Sequence, residues 1–206
     1  MEKRSKWHPL YLWGIAYIAL TYLYVGGVFY GAEINNNTLI YISMATPFVL
    51  TAVNLLLAIT LRNKIHRDHF LGTAVLMKYC VLPYQLAGLA IGGLGVLSNI
   101  IVPFLVIFAG FAVAFIVFLF GYVTLLGTVP FMFVYLMKGK KEGSFHLVFA
   151  TVIEVLQFIL FLDLISSLVA AFKEKKLVIG TIVAVVITVL LLMIGGIALL
   201  IKIFTY

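Results

Sequence analysis

The sequence is short of the groups that keep a protein in water. Only 10% of its 206 residues are charged while 65% are hydrophobic, and the mean hydropathy is +1.22. A soluble domain is about a quarter charged and half apolar. A charge at the centre of a bilayer costs roughly 2.5 to 3.5 kcal/mol even on lenient insertion scales, so stripping out charge to this extent suits a chain whose solvent is lipid. Cysteine is scarcer still. Cys80 stands alone, which excludes an intramolecular disulfide, a CxxC redox pair and a cysteine-rich metal site by counting.

Acidic residues number seven against 14 lysines and arginines, giving a formal charge of +7. A nucleic-acid partner needs a basic patch on a water-facing surface. Here the basic residues fall in short runs between apolar segments, as positive-inside signals and contacts to anionic lipid headgroups do, so membrane lipids are the expected partners and nucleic acid is not. Signatures of membrane enzymes are also missing. There is no HExxH, no GxSxG, no GxGD and no EExxxR, so no catalytic residue is assigned. His66, Asp68 and His69 have the chemistry of metal ligands but occupy a loop without a fourth ligand, and no metal or other cofactor is expected.

What the chain does have is long apolar runs. At about 20 residues per crossing they predict an all-α, polytopic transmembrane bundle in one domain over 1–206, with six spans near 10–30, 39–61, 70–92, 100–124, 145–172 and 177–203. The basic start Lys3, Arg4, Lys6 resembles a signal-peptide n-region, but the apolar stretch after it is too long and lacks a small-residue cleavage site, so it reads as a retained first span. Asn35 to Asn37 marks a turn, the Arg62 to His69 loop is basic, and Gly93 to Asn99 reads as a glycine-rich turn. Residues 100–137 are too long for one upright helix. Either Gly127 and Pro130 break them into a span and an interfacial segment at 125–137, or a hairpin near Gly121 makes seven spans in all. With six spans the N-terminus, the Arg62 loop, the Lys138 loop and Lys202 lie in the cytoplasm, and Lys173, Lys175 and Lys176 lie outside. The expected location is the cell membrane, multi-pass, with the N-terminus cytoplasmic.

Polar residues inside the spans are the candidate site. Lys78 falls about 12 Å into the third span, and Glu154 and Asp163 lie in the fifth. The two acids are nine residues apart, half a turn on one helix, so Lys78 pairs closely with only one of them. Six spans select Glu154 and seven select Asp163. Ser43, Pro47, Thr51 and Asn54 share a face of the second span, and Lys78, Gln85, Gly88 and Gly92 a face of the third. Thr151, Glu154 and Gln157 make a shorter stripe. The expected site is a small polar cavity formed by Lys78, Glu154, Gln85, Asn54, Gln157 and Asp163, open to a small molecule or ion.

The block from Arg62 to Tyr84, with Met77-Lys78-Tyr79 followed by Leu82-Pro83-Tyr84, resembles small polytopic membrane proteins of Gram-positive bacteria; that resemblance implies a bacterial cell membrane and no activity. In size and six spans the chain is also similar to the substrate-binding subunits of energy-coupling-factor vitamin transporters. It lacks their alanine motif in the first span, so that similarity is architectural. Three functions stay open: a transport-related protein, an accessory or immunity-type protein that binds a membrane partner, and a lipid-handling enzyme.

Overall fold

The computed structural model describes residues 8–101, 106–159 and 162–173, together with residue 186. The elements among them are helices: α1 (Pro9–Glu33), α2 (Asn37–Leu61), α3 (Arg67–Ile101), α4 (Val106–Lys141), α5 (Leu147–Leu156) and α6 (Leu162–Lys173). Four stretches are long and apolar enough to cross a membrane: Pro9–Glu33, Asn37–Leu61, Arg67–Ala90 and Ala114–Lys141. The described residues thus form an all-helical membrane protein with four clear candidate spans among them.

Local chemistry sets the helix ends. Pro9 opens α1 with its φ already helical, and the His8 ring accepts from Leu10 N at 3.1 Å. At the other end Asn35 takes φ 52°, the left-handed conformation that asparagine tolerates. Asn36 N then bonds Gly31 O at 2.8 Å and Asn35 N bonds Ala32 O at 3.3 Å, which satisfies carbonyls the helix end leaves open. The Asn36 side chain caps α2 in turn, accepting from Leu39 N at 3.0 Å. Gly143, at φ 70°, closes α4 by the same pattern, with Ser144 N on Gly139 O and Gly143 N on Lys140 O.

Helices α3 and α4 form the centre, with α1 laid against α2 and α3, and α2 against α4. Phe70, Leu71, Ala74, Met77 and Val81 of α3 are buried in one cluster with Phe131, Met132, Tyr135 and Leu136 of α4.

The later half differs from the sequence expectation. Gly93 to Asn99 is helical and belongs to α3, while α4 runs unbroken through Gly121, Gly127 and Pro130, so residues 125–137 are no separate interfacial segment and no hairpin forms near Gly121. Proline in a helix leaves the carbonyl four residues back without its amide. For Pro130 that carbonyl is Leu126 O. On the turn beside it Tyr17 OH bonds Thr124 O at 2.8 Å, Thr51 Oγ1 bonds Val123 O at 3.0 Å, and Asn54 Nδ2 bonds Gly127 O at 2.7 Å, which ties α1 and α2 to the backbone of α4 next to the proline while the helix runs on through it.

The stretch expected to cross at 145–172 is two short helices folded back on each other. Lys173 Nζ lies 3.9 Å from the Phe149 ring centre and 4.7 Å from that of Phe145, whereas one continuous helix would hold Lys173 and Phe149 about 36 Å apart. The 10 residues of α5 and 12 of α6 give lengths of about 15 and 18 Å, half of a roughly 30 Å hydrocarbon layer. The sixth expected span, 177–203, lies outside the described residues.

The base of this hairpin meets the loops that begin and end the spans. Arg67 Nε is 3.2 Å from Glu142 Oε2, its guanidinium stands 5.5 Å over the Phe145 ring, Lys138 Nζ donates to Ile65 O, and His8 stacks on His69 at 4.7 Å. Residue 8, the Arg62 loop and the Lys138 loop therefore gather at one end of the bundle. Lys173, which the six-span layout put at the opposite end, joins them, because α6 returns to the side from which α5 enters. In a Cys80→Ser background, single Lys140→Cys and Lys173→Cys substitutions should react with an impermeant thiol reagent from the same side of sealed membranes, and Asn36→Cys from the other. Labelling of Lys173→Cys together with Asn36→Cys would mean that residues 145–173 cross.

Candidate functional site

The hairpin carries its polar residues at the tip. Gln157 ends α5, Asp163 sits in the first turn of α6, and both are buried against α3 at Lys78. Lys78 lies 11 residues along α3 from Arg67, a rise of about 16 Å, which is mid-depth in a bilayer. Its amine is 3.2 Å from Asp163 Oδ2 and 3.5 Å from Asp163 O, and it donates to Gln157 Oε1. Both charged side chains are 1% exposed.

Each partner has a reason to be there. Two half-length helices end at the tip, so the positive end of the α6 dipole faces the Asp163 carboxylate, and the last carbonyls of α5 lie close by. Ser166 and Ser167 hydroxyls donate back to Asp163 O at 2.9 and 2.7 Å. Gln157 Nε2 donates to Ser166 Oγ at 2.5 Å, which orients the amide so that its oxygen faces the Lys78 amine. Tyr79 OH bonds Leu164 O at 3.2 Å and Tyr122 OH bonds Phe158 O at 3.3 Å, so side chains of α3 and α4 fasten the tip from two directions. One atom is left over. Asp163 Oδ1 is buried and accepts no hydrogen bond from the described residues. An acceptor left unmatched costs about 1 to 3 kcal/mol, more when charged.

The structure thus brings together three of the six candidate residues: Lys78, Gln157 and Asp163. Glu154, the acid set against Lys78 by six spans, instead pairs with Lys140, with Oε2 2.9 Å from Nζ near the base of the hairpin. The correction follows from the fold-back. Glu154 stays close to the end where α5 enters, and the turn brings Asp163 to the depth of Lys78. Asn54 lies elsewhere too, accepting from Trp13 Nε1 at 2.6 Å and donating to α4. Gln85 is buried two turns beyond Lys78 on the same α3 face, where with Gly88, Gly92 and Gly121 it borders a cavity of about 270 Å³ between α3 and α4. Ser166, Ser167, Tyr79 and Tyr122 were absent from the sequence candidates. The adjacent serines just after an intramembrane Asp were a usable signal, whereas the tyrosines look like interfacial aromatics until their partners are seen.

His66 and Asp68 stay in the loop, with Nδ1 3.5 Å from Oδ2, and His69 faces the rings of His8 and Tyr11. No protein-family model matches the sequence, and neither a curated protein nor a solved structure gives a significant match.

Removing one member of a buried pair strands the other and destabilises by about 3 to 5 kcal/mol, whereas removing both is often near neutral. Lys78→Met is therefore expected to lower the melting temperature of the detergent-purified protein sharply, and adding Asp163→Asn to restore most of it. Adding Glu154→Gln to Lys78→Met should restore nothing. Rescue by Glu154→Gln in place of Asp163→Asn would contradict the pairing.

Proposed function

We propose that this chain is a transport-related membrane protein in which the tip of the α5–α6 hairpin and Lys78 form the site for a small polar molecule or ion. The observation that carries this reading is a buried Lys78–Asp163 pair at the junction of two half-length helices, with one carboxylate oxygen unmatched. A buried ion pair adds little stability over apolar side chains of the same volume, so its presence at mid-membrane is a weak device for folding. Intramembrane charges and interrupted helices recur where solutes or ions pass, because helix ends offer backbone dipoles that an unbroken helix uses up internally.

The chemistry available is two-sided. A solute offering a proton, a cation or a hydrogen-bond donor meets Asp163 Oδ1, and one offering an anionic or carbonyl oxygen competes with Asp163 for the Lys78 amine. Either event weakens the pair that holds the hairpin tip against α3, which links occupancy of the site to hairpin position. Gln85 borders a separate, largely apolar cavity about 10 Å further along the same α3 face, whose lining does not include Lys78, Gln157 or Asp163. The clustering of the basic loops at one end supports a cytoplasmic N-terminus in a cell membrane by the positive-inside rule.

The test is flux. In proteoliposomes under an imposed gradient, the purified chain is expected to move at least one of protons, sodium, potassium or chloride, reported by dyes trapped inside. The Lys78→Met, Asp163→Asn double variant should elute and melt as the parent does yet lose that movement. Absence of flux for every probe, or equal flux in the folded double variant, would overturn the proposal and leave the accessory role ahead of it.

A further inference from the structure

A second site lies on the lipid-facing side of α2 and α4, away from the ion pair. Thr51, Leu55, Ile59 and Arg62 follow one another along one face of α2, and Pro130 and Phe133 stand opposite on α4; between them runs a groove of about 520 Å³. We propose that this groove binds an anionic phospholipid, with its acyl chain between the two helices and its headgroup on Arg62.

Shape and charge together select that occupant. From Thr51 to Arg62 the helix rises about 16 Å, the thickness of one leaflet of a roughly 30 Å hydrocarbon layer. The groove is open along its lipid-facing side over that length, a shape that extended hydrocarbon chains can follow. The walls are apolar along their length, with Leu55, Ile59 and Phe133 partly exposed, until Arg62 at one mouth.

That mouth opens at the end of the bundle where Lys64, Lys138, Lys140 and Lys141 also lie. Lys140 is committed to Glu154 and Lys138 to the Ile65 carbonyl, whereas Arg62 is exposed and makes no ion pair with a described acid. Its guanidinium is positioned to take a phosphate oxygen pair, the geometry to which its planar fork is suited. A zwitterionic headgroup would offer the same phosphate but also bring its own cation into the basic cluster, which favours an anionic lipid. At its far end the groove reaches Phe158, next to Gln157 at the hairpin tip, so the lipid tail would touch the element that carries the ion pair.

The experiment is native mass spectrometry of the full chain in mild detergent, titrated with phosphatidylglycerol or with phosphatidylcholine of identical acyl chains. Phosphatidylglycerol should be retained more tightly, and Arg62→Gln should cut that preference about fivefold, the effect of one basic side chain at a charged headgroup. Ile59→Trp or Leu55→Trp, each filling the groove from an exposed position, should lower retention of both lipids while the elution profile and melting temperature stay as in the parent. Lys64→Gln, outside the groove, should change neither. Equal retention of the two lipids by the parent would overturn the proposal. So would full retention in both tryptophan variants, the result expected if residues 174–206 fill the groove, or an equal loss in Lys64→Gln. Because binding is read by mass, the outcome stands whether or not the chain moves ions.

Discussion

A helix that stops halfway through a bilayer leaves its last carbonyls and first amides where there is no water to meet them, and each unmatched group costs several kcal/mol in hydrocarbon. The α5–α6 hairpin stops there twice, at the end of one helix and the start of the next. Its tip is held by donors to its carbonyls, of which Phe158 O lies past the end of α5 while Asp163 O and Leu164 O lie in the first turn of α6. Lys78, Tyr79 and Tyr122 supply those donors from outside the hairpin, and Ser166 and Ser167 from within. The lysine is the only donor in this set that carries charge, and it requires the carboxylate beside it.

The same constraint shapes the rest of the bundle. Tyr17, Thr51 and Asn54, from two different helices, all donate to carbonyls of α4 within one turn and a half of each other, between Val123 and Gly127. This is the stretch just before Pro130, where the α-helical ladder is interrupted. Tyr22 OH also bonds a backbone carbonyl of a neighbouring helix, Cys80 O at 2.7 Å. The polar stripe on α2 is therefore largely a backbone-satisfying device for α4. Its chemistry is used up inside the fold, and little is left to offer a solute.

How far the sequence goes is clear from particular residues. The cost of a lone charge calls for an acid beside Lys78 without saying which one, and the first three spans and the turn at Asn35 to Asn37 follow from apolar length and turn chemistry. Three features did not. Gly93 to Asn99 looks like a turn on a soluble scale, yet glycine is common inside membrane helices and the segment is helical. Pro130 looks like a break, yet α4 runs through it, held beside the proline by Thr51, Asn54 and Tyr17, residues more than 70 positions away. The fold-back at the hairpin tip is hidden most deeply: Gln157 to Phe161 contains neither glycine nor proline, and a mostly apolar stretch of 28 residues has the same composition whether it crosses once or goes in and out. Placing Glu154 and Asp163 on opposite faces of one helix was sound geometry for a helix that the chain does not make.

That error bears on function. Had residues 145–172 formed a continuous span, Glu154 could have met Lys78 as one more interhelical pair between two rigid rods. A fold-back changes what the pair can do. Its acid rides on a short element tied to the bundle at its base by the Lys140–Glu154 pair and the rings around Lys173, and at its tip by a handful of polar bonds. Elements held by few buried contacts are the ones that open locally at least cost. Here the tip of that short element carries the most expensive charges of the described structure, and one buried oxygen of the pair lacks a partner among the described residues. Stability alone would have put leucine and methionine at these positions, as it has on the neighbouring turns of α3.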